Sequence, residues 1–154
     1  MNTPLFQKLN LKQQEVIYVI NAPDSMTSEL KAIGEWYQVK TQLPRSPRAD
    51  FLMVFVYEQS EIEKMVSRLV KVLSNDPILW MAYPKKISKK YTSDISRDHS
   101  WQPLGDIGME GVRIVAVDDD WSALRFRYVK HIKKMSRHKG MILSTAGMEK
   151  TSGK

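Results

Sequence analysis

Cysteine is absent from this sequence of 154 residues. Its absence excludes disulfides, thiolate catalysis and every cysteine-containing zinc site, and makes a reducing, cytoplasmic compartment the expectation. No apolar run approaches the ~20 residues that span a bilayer. Met1-Asn2-Thr3-Pro4-Leu5 also lacks the charged and apolar regions of a signal peptide, so the reading is a soluble, unexported protein with no membrane partner. Glycine is scarce at seven residues, and none lies in Asn21-Ala22-Pro23-Asp24-Ser25, the loop after the first candidate strand. A dinucleotide fold needs G-x-G-x-x-G there to let backbone approach a pyrophosphate, so nicotinamide or flavin binding of that kind is disfavoured. Acids are nearly missing from the carboxyl-terminal stretch: residues 122–154 hold nine Lys or Arg against Glu149 alone, a charge of +8, while residues 1–121 sum to −1. The basic character of the chain therefore belongs to its end, and arguments for an acidic partner start there.

What is present reads as an α/β domain. A chain of this length buries about 68–70% of its unfolded surface, enough for a real core. Thr3-Pro4 is a helix start, a hydroxyl cap followed by proline, with Leu5, Phe6 and Leu9 as the apolar side. Residues 15–20 are β-branched and aromatic without alternation, as in a strand covered on both faces. After the Asn21–Ser25 loop a helix runs to about Ile33 and stops at Gly34. Residues 36–41 form a second strand whose direction stays open, because the eight-residue connector 43–50 is short for a parallel return.

Residues 51–57, the most apolar run, are a central strand. Ser60 and Glu63 suggest a capping box, and Ile62, Met65, Val66, Leu69, Val72 and Leu73 then recur at helical spacing. Ser74-Asn75-Asp76-Pro77 turns the chain into a buried strand, Ile78 to Pro84, which opens directly into Lys85 and Lys86. Trp101, Leu104 and Ile107 suggest a short helix ended by Gly108. Residues 112–117 and 122–129, joined by Asp118-Asp119-Asp120-Trp121, read as a hairpin, with the last strand at a sheet edge because its alternation leaves one face wet. The expected fold is a single-domain, Rossmann-like, mostly parallel sheet of about six strands, with helices on both faces and a carboxyl-terminal antiparallel hairpin. It occupies residues 1–135, and residues 136–154 form a basic, flexible tail.

Several separated motifs resemble an uncharacterised bacterial family known as a domain of unknown function, DUF3052. They are Thr3-Pro4-Leu5 with Lys8-Leu9, Asn21-Ala22-Pro23, Leu79-Trp80 to Pro84-Lys85-Lys86, Asp94-Ile95, and Ala116 to Leu124 around Trp121-Ser122. That resemblance covers the chain from Thr3 to about Lys130 and implies no reaction. The order of elements also resembles a trimmed class I methyltransferase, except that such enzymes keep a glycine-rich turn for S-adenosylmethionine where this chain has Asn21-Ala22-Pro23.

Ligands in an open α/β sheet settle at the carboxyl ends of parallel strands. There Asn21, Asp24, Tyr83, Lys85 and Lys86 are the candidate binding set: the lysines supply charge and Asn21 directed donors for a phosphate or carboxylate, against the plainer reading of a solvated loop. Asp118, Asp119 and Asp120 have the chemistry of a Mg²⁺ site but the habits of a turn, and no metal is assigned. His99, His131 and His138 show no ligand spacing. Asp98-His99-Ser100 holds the residue types of a hydrolytic triad, but adjacent residues cannot align for it. No catalytic residue and no cofactor is expected, and Trp121 is expected to pack over the hairpin. Two functional expectations lead, of different classes: a non-enzymatic module that binds an anionic small molecule or a protein partner at the carboxyl edge, and a sequence-tolerant nucleic-acid binder using Arg125, Arg127, Lys130, Lys133, Lys134 and Arg137. A degenerate S-adenosylmethionine-dependent methyltransferase-like protein is the third.

Overall fold

A computed structural model describes residues 2–132. Its centre is a six-stranded sheet made of β1 (Val16–Ile20), β2 (Gln38–Lys40), β3 (Ala49–Phe55), β4 (Leu73–Pro84), β5 (Met109–Ala116) and β6 (Trp121–Tyr128). The order across the sheet is β2-β1-β3-β4-β6-β5. The first four strands are mutually parallel, and β6 joins β4 and β5 antiparallel.

Helices cover both faces because the central strands are apolar on both. Phe51, Met53, Phe55, Trp80 and Ala82 face one side with Phe6, Leu9, Met26 and Ile33, which come from the segments around α1 (Pro4–Lys8) and α2 (Thr27–Ile33). Leu52, Val54, Leu79, Met81 and Tyr83 face the other, against Ile62, Met65 and Leu69 of α3 (Gln59–Val72) and Leu104 of α4 (Gln102–Asp106). Each fully buried Phe or Leu contributes about 1.5–3 kcal/mol, so these two layers hold the sheet. The Trp80 indole N–H donates to the Leu9 carbonyl at 2.8 Å and fixes the end of α1 against β4. Thr3 caps α1 as its sequence implies, its hydroxyl accepting the Phe6 amide at 3.2 Å.

Several local expectations are corrected. The second strand shrinks to Gln38–Lys40 and runs parallel to β1; Trp36 lies before it, 57% exposed, in the turn that follows α2. A strand that short spans only ~10 Å, so an extended connector reaches β3 without a helix. The helix start sits earlier than Ser60: Glu58 is the cap, and Glu61 reaches back to accept the Glu58 amide at 2.9 Å and the Tyr57 amide as well. Gly34 ends α2 at φ −65°, an ordinary helical value, rather than in the left-handed region. The Ser74–Pro77 turn is absorbed into β4 as an irregularity, with register passing from Ala49–Leu73 to Phe51–Ile78. The wet edge of the sheet is β5, since β6 is paired on both sides and β5 leaves Val112 and Ile114 exposed. The expected tail, residues 136–154, lies outside the described residues.

Candidate functional site

The carboxyl ends of β1, β3 and β4 lie on one edge, because all three run parallel with Ile20 paired to Val54 and Phe55 to Ala82. From this edge β1 leads outward to β2 and β3 leads the opposite way to β4, so the order reverses between β1 and β3. That reversal is where open α/β sheets place ligands.

The five candidate residues divide into two groups. Tyr83, Lys85 and Lys86 share a cleft of about 230 Å³ with Ile87, Ile95, Arg97 and Ser122. Asn21 and Asp24 do not line it. Asn21 is exposed in the left-handed conformation at φ 59°, and Asp24 opens a short 3-10 turn after Pro23. Asp24 acts instead on Tyr57, whose phenol is pushed up from its ordinary value, chiefly by burial and then by Tyr91, Glu61 and Asp24.

A plug made from the chain itself fills the space between the groups. Trp121 at the start of β6 is fully buried, with ring centres of Phe55, Tyr57 and Tyr91 at 5.0, 4.9 and 5.1 Å. It packs, as its place in the hairpin implied. The turn before it is anchored: Asp118 Oδ1 accepts the amides of Asp120 and Trp121 at 2.8 and 2.9 Å, and its other oxygen meets the Ser25 hydroxyl at 3.5 Å. Asp120 accepts from the Ser88 hydroxyl at 2.7 Å through its carboxylate and from the Lys85 amide at 2.8 Å through its carbonyl. These carboxylates thus organise a turn, and among the described residues no cluster of three His, Asp or Glu is placed to hold a metal.

Within the cleft, Tyr83 is 6% exposed and sits edge-on to Trp101 at 5.4 Å. Burial pushes its phenol up, while Arg97 pulls it down and Asp98 pushes it up again, so the guanidinium acts on the hydroxyl. Arg97 is an addition that sequence reading did not make; its only signal was one cation in a polar segment. It touches Asp98 at 3.4 Å across an exposed pair worth at most ~1 kcal/mol. Lys85 and Lys86 form no ion pair among the described residues. Lys85 also borders two neighbouring clefts, one of about 250 Å³ with Ser88 and Tyr91 and one of about 430 Å³ with Asp119 and Asp120.

The basic segment is partly engaged with the protein itself. Arg127 pairs with Asp76 at 3.2 Å, Lys130 reaches Asn75 Oδ1 at 3.3 Å, and a ring nitrogen of His131 lies 3.0 Å from the Asn75 carbonyl. Arg125 is half-buried, and desolvation first, then Arg127 and Arg113, push its guanidinium below its ordinary value while Asp76 pulls it up. Phe126 is fully buried, so it offers no stacking surface. Lys133, Lys134, Arg137 and His138 lie outside the described residues.

By strand order and register the chain is a Rossmann-like α/β protein: four parallel strands reversing at β1/β3, extended by an antiparallel pair. No family model matches the chain, and no curated protein matches it either. Among solved structures it is similar to a SAM-dependent methyltransferase from Aquifex aeolicus, at 15% identity over 80% of this chain and 87% of that one with a TM-score of 0.49. It is also similar to a Sulfolobus solfataricus protein described as a type 11 methyltransferase, at 9% identity over 86% and 82% with a TM-score of 0.47. A Streptococcus agalactiae protein of the NADB-Rossmann superfamily shares 11% identity over 92% and 73%, with a TM-score of 0.45. These likenesses concern the path of the chain, and the class of fold rests on its own strand order.

Proposed function

We propose that this protein is a non-enzymatic Rossmann-like module that binds a small anion, a phosphate or carboxylate, in the Tyr83–Lys85–Lys86–Arg97 cleft. The carrying observation is that these four side chains border one cleft at the carboxyl edge of the sheet. Two lysines without an ion pair among the described residues and a guanidinium supply charge, and the Tyr83 phenol supplies a directed donor. Among the described residues the cleft contains the Ser122 hydroxyl but no histidine or carboxylate to act as its base, which favours binding over turnover. The loop that would cradle a nucleotide cofactor is without glycine, and its Ser25 hydroxyl meets Asp118 of the turn before Trp121.

Titration calorimetry with inorganic phosphate, citrate and a phosphorylated peptide tests the reading and separates free anions from an acidic protein partner. At about one hundred times its Kd a ligand adds ~2.7 kcal/mol of stability. Binding by the wild type and at least tenfold weaker binding by Lys85→Ala/Lys86→Ala are expected. Equal binding by that variant, or silence from all three probes, removes the proposal.

A second reading is phosphate-backbone contact through the basic carboxyl-terminal segment, favoured by its nine Lys or Arg against one acid over residues 122–154. Four phosphate contacts give a log–log salt slope of about −3.6 on duplex DNA; DNA retention unchanged by removal of everything after Val129 counts against it. The methyltransferase-like alternative predicts heat on titration with S-adenosylmethionine, and no heat ends it. Kinship with the DUF3052-like family is a further proposal. It is supported by the contact of two of its motifs, Pro84 pairing with Trp121, and by Asp94 of a third accepting the Gln59 amide at 2.7 Å.

A further inference from the structure

The crossover from β2 to β3 passes over β1 without a helix, and residues 41–48 lie where a crossover helix would cover the sheet. Beneath this connector is a cleft of about 590 Å³, within the ~300–1,000 Å³ range of small-molecule sites. It belongs to the same sheet face as the Tyr83 cleft, since Tyr18 and Leu43 pack with the layer that contains Tyr83. It is nevertheless a separate site, with no lining residue in common.

Its lining is one-sided in charge. Lys40, Arg45 and Arg48 border it, no acid does, and none of the three forms an ion pair among the described residues. Arg48 is held in place by its Nε donating to the Ser46 hydroxyl at 2.9 Å, which leaves its terminal nitrogens unpartnered among the described residues. Tyr18, cross-strand neighbour of Lys40, is 3% exposed and lines the cleft. No described residue hydrogen-bonds its hydroxyl. The hydroxyl is not one of the buried atoms left without a partner, so it is reached from solvent and can donate to a molecule in the cleft. Thr41 and Gln42 add neutral donors.

We infer that this cleft binds a phosphate-bearing small molecule with two or more negative charges, held by Lys40, Arg45 and Arg48 and oriented by the Tyr18 hydroxyl. Arginine forks match phosphate oxygens two at a time, and the absence of an acidic neighbour rejects cations. The site stands whether or not the Tyr83 cleft binds anything.

Calorimetric titration of the full chain with pyrophosphate and with ATP, beside a single-stranded oligonucleotide, tests it. Arg45 and Arg48 are exposed, so Arg45→Ala/Arg48→Ala is expected to keep the fold, checked by circular dichroism, and to weaken pyrophosphate or ATP binding at least tenfold. Tyr18→Phe is expected to weaken it severalfold; a Lys85→Ala/Lys86→Ala background removes the other anion cleft, and the binding that this background retains is expected to fall at least tenfold when the two arginine changes are added. Binding in the lysine background that survives the two arginine changes overturns the inference, as does binding of the oligonucleotide without binding of either small phosphate. Loss in the lysine variant alone assigns the anion to the other cleft and likewise overturns it.

Discussion

Trp121 decides how much of the carboxyl edge is open. Its ring meets three aromatics at about 5 Å and is fully buried. Trp121→Ala removes that packing and leaves a void, so a loss of about 3–5 kcal/mol is expected in urea unfolding. A loss under about 1 kcal/mol would show that the aromatics do not act as a plug. A smaller effect is expected at Arg127. Its hydrogen bond to Asp76 holds that carboxyl below the ordinary carboxylate value, with Arg125 and His131 adding to the effect and burial opposing it. Because the folded value is depressed, the stabilisation is complete above the ordinary aspartate value of about 3.9 and disappears as pH falls through the lower folded value. Both partners are substantially exposed, so Arg127→Ala is expected to cost under ~1 kcal/mol at neutral pH, and the gap to wild type should close in strong acid. A gap that persists there assigns the effect to packing. At this scale the sequence showed Lys85, Lys86 and Tyr83 through a strand that ends at Pro84. It did not show Arg97, because nothing in residues 85–100 says which cation turns back over the strand end.

Elements formed where local chemistry was strong. The apolar stripe of α3 and the runs of β3 and β4 were readable because their periods match their burial. The start of α3 was misread by two residues, since Ser60 and Glu63 have the chemistry of a cap but Glu58 and Glu61 hold the geometry. Gly108, between α4 and β5, is needed for its φ of 86°, and a Cβ there would meet nothing within 4 Å. Gly108→Ala is therefore expected to cost about 1–2 kcal/mol from backbone strain alone, read from the denaturation midpoint. Gly108→Asn should recover part of it, because asparagine tolerates the left-handed region. Equal losses for both variants would point to crowding instead.

Across the whole molecule, stability should follow position in the sheet. β3 and β4 are paired on both sides and buried on both faces, whereas β2 is three residues long and β5 stands last in the strand order. Native-state hydrogen exchange should find the slowest amides in β3 and β4 and faster ones in β2 and on the outer side of β5. Comparable protection in β5 would mean that its outer edge is covered in solution. The sequence by itself determined the two-sided apolar strands, the amphipathic α3, the glycine-free first loop and the basic end, since each is a property of neighbours along the chain. Only the tertiary structure decided that β6 lies inside β5, that Trp121 packs among Phe55, Tyr57 and Tyr91, and that Asn21 does not line the Tyr83 cleft. It alone brought Lys40, Arg45 and Arg48 around Tyr18. Strand order and loop crossing depend on contacts between residues far apart in sequence, and no local period or turn signal encodes those.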